Sequence, residues 1–476
     1  MKHLTLHLKS VFFLVTLLYL SFASAQVGIG TTTPEASAIL DINSTSQGLL
    51  PPRMTTAQRN AIVSPAPGLV VYDSDEGVHY AYSGSSWNAM SAGARRSNYV
   101  LVQSEADFPA PVGGKITLDE ATLYEINGLV TVSNYIDLNG AKIEGRDAQE
   151  DIIVNNSGST LFQGKGGTII RTTLVGNGQT IFNVSGSQGP TDNFILTDTF
   201  LSGASAVGSF TSMSLVFMDT ISYLNNSDGI ALNNIITVIF TSQLWQNSNT
   251  GTYLDLAGTF ETFELSTGYV GVNSGEVGID VSANPTIGSH ANISNVGFNI
   301  LPGGLGVNPY TAGEIYNGYN FSSSWNVDTD GLIVESDQSA FGNIYISTSS
   351  PTTFSSAGET KKVSGTTTSV ANFRTDTNSA NNRIVYEGSK SRRFFISASC
   401  TVDADNKKVF TFYVAKNGVI LPSTGIPTNV VGNSDIRSLA FTGTVQLDEG
   451  DYIEIWAQSA NASTTLEVEA MNLLIY

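Results

Sequence analysis

The sequence predicts an all-β chain in three parts: an N-terminal stalk-like segment, a parallel β-helix, and a C-terminal jelly-roll β-sandwich. Three observations predict it. First, a short pattern returns along the middle of the chain. Ile169-Ile170-Arg171-Thr172-Thr173, Ile195-Leu196-Thr197-Asp198-Thr199, Val216-Phe217-Met218-Asp219-Thr220, Val238-Ile239-Phe240-Thr241-Ser242 and Phe263-Glu264-Leu265-Ser266-Thr267 share one shape, with starts 26, 21, 22 and 25 residues apart. β-Prone runs at that period describe a solenoid in which each coil stacks on the last. Second, only 13% of residues are charged, while Gly, Ser, Thr, Asn and β-branched residues abound, which is all-β composition. Third, the last 95 or so residues hold closely spaced alternating runs joined by turn signals, the density of a jelly roll.

Taken in order, residues 1–25 have the pattern of an export signal. Lys2 and Lys9 make a basic start, Val11 to Leu20 is a short apolar run, and Ala23-Ser24-Ala25 is a small-residue cleavage site. The mature chain is expected to begin at Gln26, outside the cell or on its outer surface. No later run is long and apolar enough to predict a membrane span.

The chain carries 22 basic and 41 acidic residues, a net charge of −19 that becomes −21 once Lys2 and Lys9 are removed. This argues against nucleic acid as a partner. The single cysteine, Cys400, excludes an intramolecular disulfide framework. It sits in the alternating run Phe394 to Cys400 and is expected in a core.

Residues 26–97 are broken by Gly28, Gly30, Pro34, Gly48, Pro51, Pro52, Pro65, Pro67 and Gly68, too often to bury a large core alone. They are expected to form a stalk or attachment segment that closes at Ala94-Arg95-Arg96-Ser97. The β-helix is expected over 98–350. A second recurring strand supports it: Gly229-Ile230-Ala231-Leu232, Thr252-Tyr253-Leu254-Asp255-Leu256 and Gly278-Ile279-Asp280-Val281. The repeat fades after about Phe298, and 302–309 is expected as an excursion or an altered coil. Residues 351–380, rich in Ser and Thr, are expected as a linker or as the first edge of the last domain. The jelly roll is expected over 381–476, with Lys416-Asn417-Gly418 as a hairpin turn.

Several stretches resemble known families. Val27 to Pro34 with Ala38 to Ile42, and Gly48-Leu49-Leu50-Pro51-Pro52-Arg53-Met54, resemble the opening of exported surface proteins of Gram-negative bacteria. The same segment through Tyr82 to Trp87 is similar to phage tail-fibre stalks. Phe108 to Leu118 resembles the opening of right-handed β-helices in phage tailspikes and pectin-lyase-like proteins. Phe412 to Gly418 and Leu447 to Ile455 resemble a C1q/TNF-like jelly roll. The resemblance implies a right-handed β-helix and a fibrous homotrimer that presents a binding surface. It brings no catalytic residues with it.

Candidate sites come from the residues themselves. Asp198 and Asp219 take matching places in the repeat. Stacked carboxylates there would serve glycosidic-bond chemistry or hold Ca²⁺, the one cofactor left open. The plainer alternative is an outward polar ladder with Thr172, Thr241 and Ser266. Asp255 and Asp280 also align and alternate with apolar residues, so they are expected to face solvent. With Tyr253, Glu261, Glu264 and Trp245 they make a candidate glycan patch, since aromatics stack on sugar faces and carboxylates accept hydroxyl hydrogen bonds. Trp325 is a further sugar platform unless it is core. His79 and His290 have no metal-ligand spacing. The expected function is a non-catalytic adhesin that binds glycans or cells. The alternatives are a polysaccharide lyase or glycoside hydrolase on the β-helix flank, and a phage tail-spike receptor-binding protein.

Overall fold

The computed structural model describes residues 26–90, 98–313, 315–404, 407–430 and 436–476. The export signal and the Ala94-Arg95-Arg96-Ser97 segment lie outside the described residues. The chain divides into two compact units, 1–96 and 97–476.

In the first unit, Arg53–Met54, Val70–Asp73, Val78–Tyr82 and Trp87–Ala89 form a four-stranded sheet, and Val27–Ile29 pairs in parallel with Leu40–Ile42. The helix Thr56–Asn60 starts at a capping box made by Thr55 and Gln58. One apolar side chain, Val71, is buried among residues 26–90.

The second unit opens with a parallel β-helix of about nine coils. Each coil contributes to three parallel sheets in the order A, B, C. Sheet A stacks Lys115–Thr117, Tyr135–Asp137, Phe162–Gly164, Phe182–Ser185 and Gly208–Thr211, then the starts of Ile230–Trp245 and Thr252–Val272, then Val277–Asp280 and Leu305–Asn308. Sheet B runs from Tyr99–Val102 to Trp325–Asp328. Sheet C runs from Leu129–Val132 to the end of Thr286–Ile300.

Strands this short cannot bury a core alone, so stacking supplies it. Phe182 meets Phe162, Phe194 and Phe210 with ring centroids 5.1–5.7 Å apart. Farther along, Tyr223, Trp245 and Tyr253 form a second aromatic stack. Where sheet C returns to sheet A, buried amides replace aromatics. Asn226 Nδ2 donates to Leu201 O and Asn249 Oδ1, both at 3.0 Å, and Asn249 Nδ2 donates to Tyr223 O and Gln246 O, both at 2.8 Å. These bonds satisfy corner carbonyls that stacking would otherwise leave buried and unpaired.

The bend from sheet B to sheet C takes one residue per coil. Arg171, Asp198, Thr220, Ser242, Thr267 and Asn295 all have φ between 50° and 56°, and their flanking residues pair in register from coil to coil. A single left-handed residue turns the chain without a loop, at the steric cost that conformation imposes on a side chain.

The coils continue past Phe298, where the sequence repeat fades. Leu305–Asn308 and Trp325–Asp328 stay in register on Val277–Asp280 and Ala291–Ser294. The excursion is the stretch between them. Of the two readings of 351–380, the linker is corrected and the edge of the last domain is what the strands form. Pro351–Phe354, Thr360–Lys362 and Gly365–Phe373 are sandwich strands, and the sandwich begins at Phe341. Their Ser and Thr residues alternate with buried Thr352, Phe354, Val363 and Phe373, so a polar composition concealed strand periodicity.

One sandwich sheet orders Gly365–Phe373, Phe341–Ser349, Thr464–Ile475, Arg392–Ala404 and Arg437–Leu447. The other is built on Ile384–Tyr386, Tyr452–Ser459 and Lys408–Lys416. Cys400 is buried between them, and burial pushes its thiol up to about 12. The hairpin turns at Asn417 and Gly418, both with φ > 0.

The sandwich is fastened to the last coil through Arg374. Its guanidinium pairs with Asp337 and donates to the carbonyls of Trp325 and Glu335. Asp337 Oδ2 in turn accepts from Lys390 N (2.9 Å) and Ser389 Oγ (3.1 Å).

Candidate functional site

Sheet A carries one outward ladder along its length: Thr117, Asp137, Gln163, Asn183, Ser209, Ala231, Asp255, Asp280 and Asn308. Asp255 and Asp280 are direct neighbours in it, on successive rungs roughly 4.8 Å apart. Beside them the small residues Ala206, Gly208, Ser209, Gly229 and Ala231 leave an open recess of about 400 Å³, rimmed by Asp228, Asp255 and Asp280. The recess exists because large side chains are missing from the ladder where the carboxylates begin.

The carboxylates differ. Asp255 makes no hydrogen bond among the described residues. Desolvation raises its pKa, and the charges of Asp280 and Asp228 raise it further. Desolvation also works against Asp280, but hydrogen bonds from Asn308, whose Nδ2 lies at 2.8 Å, and from Ser282, whose N lies at 2.9 Å, outweigh it and hold the group below the usual carboxylate range. Asp228 is committed to the backbone, accepting from Thr252 N at 2.9 Å and Gly229 N at 3.0 Å. Adjacent carboxyls with divergent environments are able to divide acid and base roles.

The other expected residues do not gather here. Tyr253 and Trp245 are buried in the solenoid core at 0% and 1% exposure, and burial pushes the Tyr253 phenol up. Tyr253 lies at the corner entering sheet A, where both it and Leu254 turn inward, so the alternation that carries Asp255 outward does not extend back to it. Trp325 is also core, its Nε1 donating to Tyr310 Oη at 2.9 Å. Glu261 and Glu264 belong to the later part of Thr252–Val272, around a bulge between Phe260 and Thr262. Glu261 lies over Gly288. Glu264 pairs with His290 at 3.2 Å and lines a second cleft, about 460 Å³, between the last coils and the sandwich residues Arg374, Glu387, Lys390 and Glu449.

Asp198 and Asp219 are not level. Asp198 is the bend residue of its coil and stands opposite Thr220, whereas Asp219 pairs with Thr197 and Thr241 and accepts a hydrogen bond from the Thr241 hydroxyl. A one-residue slip in reading the repeat exchanges a bend position for a strand position. Among the described residues, no group of three or more His, Cys, Asp or Glu side chains is placed to hold a metal ion. No helix among them is long and apolar enough to cross a membrane.

Sequence reasoning had named Asp255 and Asp280 but missed the recess. Its signal was the small residues on successive rungs, Ser209 and Ala231, with Gly208 and Gly229 beside them. The first unit offers a different kind of surface. Val63 is 89%, Ile39 82% and Leu49 72% exposed, with Leu50, Met90 and Ile29 also bare. So much exposed apolar surface on so small a unit marks an interface.

Comparison with known proteins adds the following. Residues 28–104 match the family described as phage tail like trimerisation region. No curated protein matches the sequence. Among solved structures, the enzymatically active domain of bacteriophage CBA120 tailspike protein 4 overlaps 90% of this chain and 77% of its own at 8% identity and a TM-score of 0.21. That of tailspike protein 2 of the same phage overlaps 88% and 89% at 11% identity and a TM-score of 0.20. Murine APRIL at pH 8.5 overlaps 27% of this chain and 97% of its own at 11% identity and a TM-score of 0.17. At these TM-scores the overlaps bear on neither site nor function. The chain therefore combines a trimerisation-type region, a β-solenoid and a β-sandwich.

Proposed function

We propose that this protein is a homotrimeric, tail-spike-like receptor-binding fibre that engages a glycan in the recess of sheet A. The observation that carries the reading is the match of residues 28–104 to a phage tail like trimerisation region, on a unit whose described residues 26–90 bury one apolar side chain. Three copies would provide the missing core and bring three recesses together in one molecule. The recess is open, polar and acid-rimmed, which suits hydroxyl-rich sugars. With the chain at −19, repulsion disfavours polyanionic polymers and leaves neutral or amino-sugar polymers as the favoured class.

Two readings stand beside it. Divergent Asp255 and Asp280 favour glycoside hydrolysis at the recess, with Asp255 as acid and Asp280 as the ionised partner. Carboxyls about 5 Å apart would belong to a retaining mechanism. The export-type residues 1–25 favour an adhesin on the cell surface or outside it.

The test is to incubate the purified protein with neutral, cationic and acidic polysaccharides and to follow both retention and polymer length. Retention of a neutral or cationic polymer, lost in Asp255→Asn/Asp280→Asn, supports a receptor-binding fibre. Shortening that Asp255→Asn abolishes makes the recess an active site. Retention unchanged by both substitutions removes the recess from the account.

A further inference from the structure

The three faces of the solenoid are not alike. The outward positions of sheet A include Lys115, Asp137, Asp255 and Asp280, and those of sheet B include Glu125, Lys142, Glu144, Asp219, Glu264 and Asp328. Sheet C has no Asp, Glu, Lys or Arg at any outward strand position from Leu129 to Asn299. Leu129, Ile152, Val154, Phe200, Leu224 and Leu244 point outward there and are partly or fully exposed. Val175 is a further apolar position, and Thr, Ser, Tyr and Gly fill the remaining places up to Asn299.

In a chain with a net charge of −19, a face of eight stacked strand segments without a carboxylate is one on which two copies would meet without like-charge repulsion. Depletion of charge with retention of aliphatic and aromatic side chains is also what distinguishes the centre of a protein interface from ordinary surface.

The last residues of the matched region belong to the same unit as this face. The match ends at Ser104, and the adjoining residues make the floor under the first strand of sheet C. Gln103 Nε2 donates to Asn127 Oδ1 at 3.2 Å, and Glu105 Oε2 accepts from Ser133 N at 2.8 Å, either side of Leu129–Val132. Copies joined through residues 28–104 would be held at high effective concentration beside one another where sheet C begins.

We infer that sheet C is the surface on which the solenoid of one copy packs against a second copy of this chain. The inference rests on the trimeric reading above. It extends the contact from the N-terminal unit along the β-helix, and it leaves the sheet A recess facing outward.

The test uses three matched substitutions in the full chain: Ser202→Cys and Ser222→Cys on sheet C, and Ser209→Cys on sheet A. Buried Cys400, its thiol pushed up to about 12, is the slow background. Rates of labelling by a bulky maleimide are measured in the native assembly and after dissociation with Ile39→Asp/Leu50→Asp. Labelling at 202 and 222 is expected to be at least 10-fold slower in the assembly than after dissociation, with 209 unchanged. Light scattering is run on each sample. A trimer in which 202 and 222 label as fast as 209 overturns the sheet C interface and leaves the trimer standing. A monomer overturns both.

Discussion

The N-terminal unit and the β-helix solve the same problem in opposite ways. Both are built from short strands that cannot be stable alone. The β-helix stacks its strands within one chain and buries apolar residues on every coil, from Val102 to Val327. The N-terminal unit pairs its strands but leaves Val27, Ile29, Ile39, Leu40, Leu49 and Leu50 exposed. A short strand therefore has two routes to a core, repetition along one chain or repetition across copies, and exposure tells which route a segment takes.

Breaking the N-terminal half of this contrast has the largest expected effect. Ile39→Asp/Leu50→Asp is expected to convert trimer to monomer in light scattering and to weaken glycan retention roughly 10²- to 10⁴-fold through lost multivalency. The β-helix should stay folded, because its core is intrachain. Phe182→Ala reverses the pattern. It empties a site enclosed by three other rings and should cost about 3–5 kcal/mol by chemical denaturation, with the N-terminal association intact.

The corner amides sharpen the comparison further. Asn249→Ala removes the acceptor for Asn226 and the donor for two carbonyls, and is expected to cost about 2–3 kcal/mol. Asn226→Ala should cost less once Asn249 is gone, since the bond between them is then already lost while those to Leu201 O and Ala204 N remain.

Stability in acid tests the sandwich. Burial works against Glu454, but bonds from Lys362 Nζ (2.8 Å), Trp456 Nε1 (2.9 Å) and Arg383 outweigh it and hold its carboxyl below the ordinary value of 4.5. A lowered folded pKa means the unfolded chain binds more protons, so the contribution is complete above about 4.5 and disappears as pH falls through the folded value. The gap in Tm between the wild type and Glu454→Gln should be widest at neutral pH and narrow as the pH falls below about 4.5 and through the folded value. The smallest effect belongs to the bend ladder. Thr220 adopts φ 56° with a β-branched side chain, and Thr220→Asn is expected to stabilise by about 1 kcal/mol.

What was legible in the sequence depended on how far apart the causes lie. The coil repeat and the alignment of Asp255 with Asp280 follow from apolar alternation, a local signal. The bend ladder was not legible, because a one-residue turn interrupts no pattern. Ile195 therefore passed for the counterpart of Ile169, when register pairs Ile169 with Leu196. Tyr253 and Trp245 were misplaced because an aromatic beside a turn has the same local sequence whether it points inward or outward. The strands between 351 and 380 were hidden by Ser and Thr, which serve a sheet face as well as a linker. The recess could not be found from any one coil, since it is the sum of small residues on several.

The central claim is that copies of this chain complete one another. Light scattering of the purified protein at micromolar concentration, with and without Ile39→Asp/Leu50→Asp, tests it directly. Three chain masses for the wild type and one for the variant, with equal β-sheet circular dichroism, is the predicted result. A wild type that runs as a well-folded monomer would contradict it.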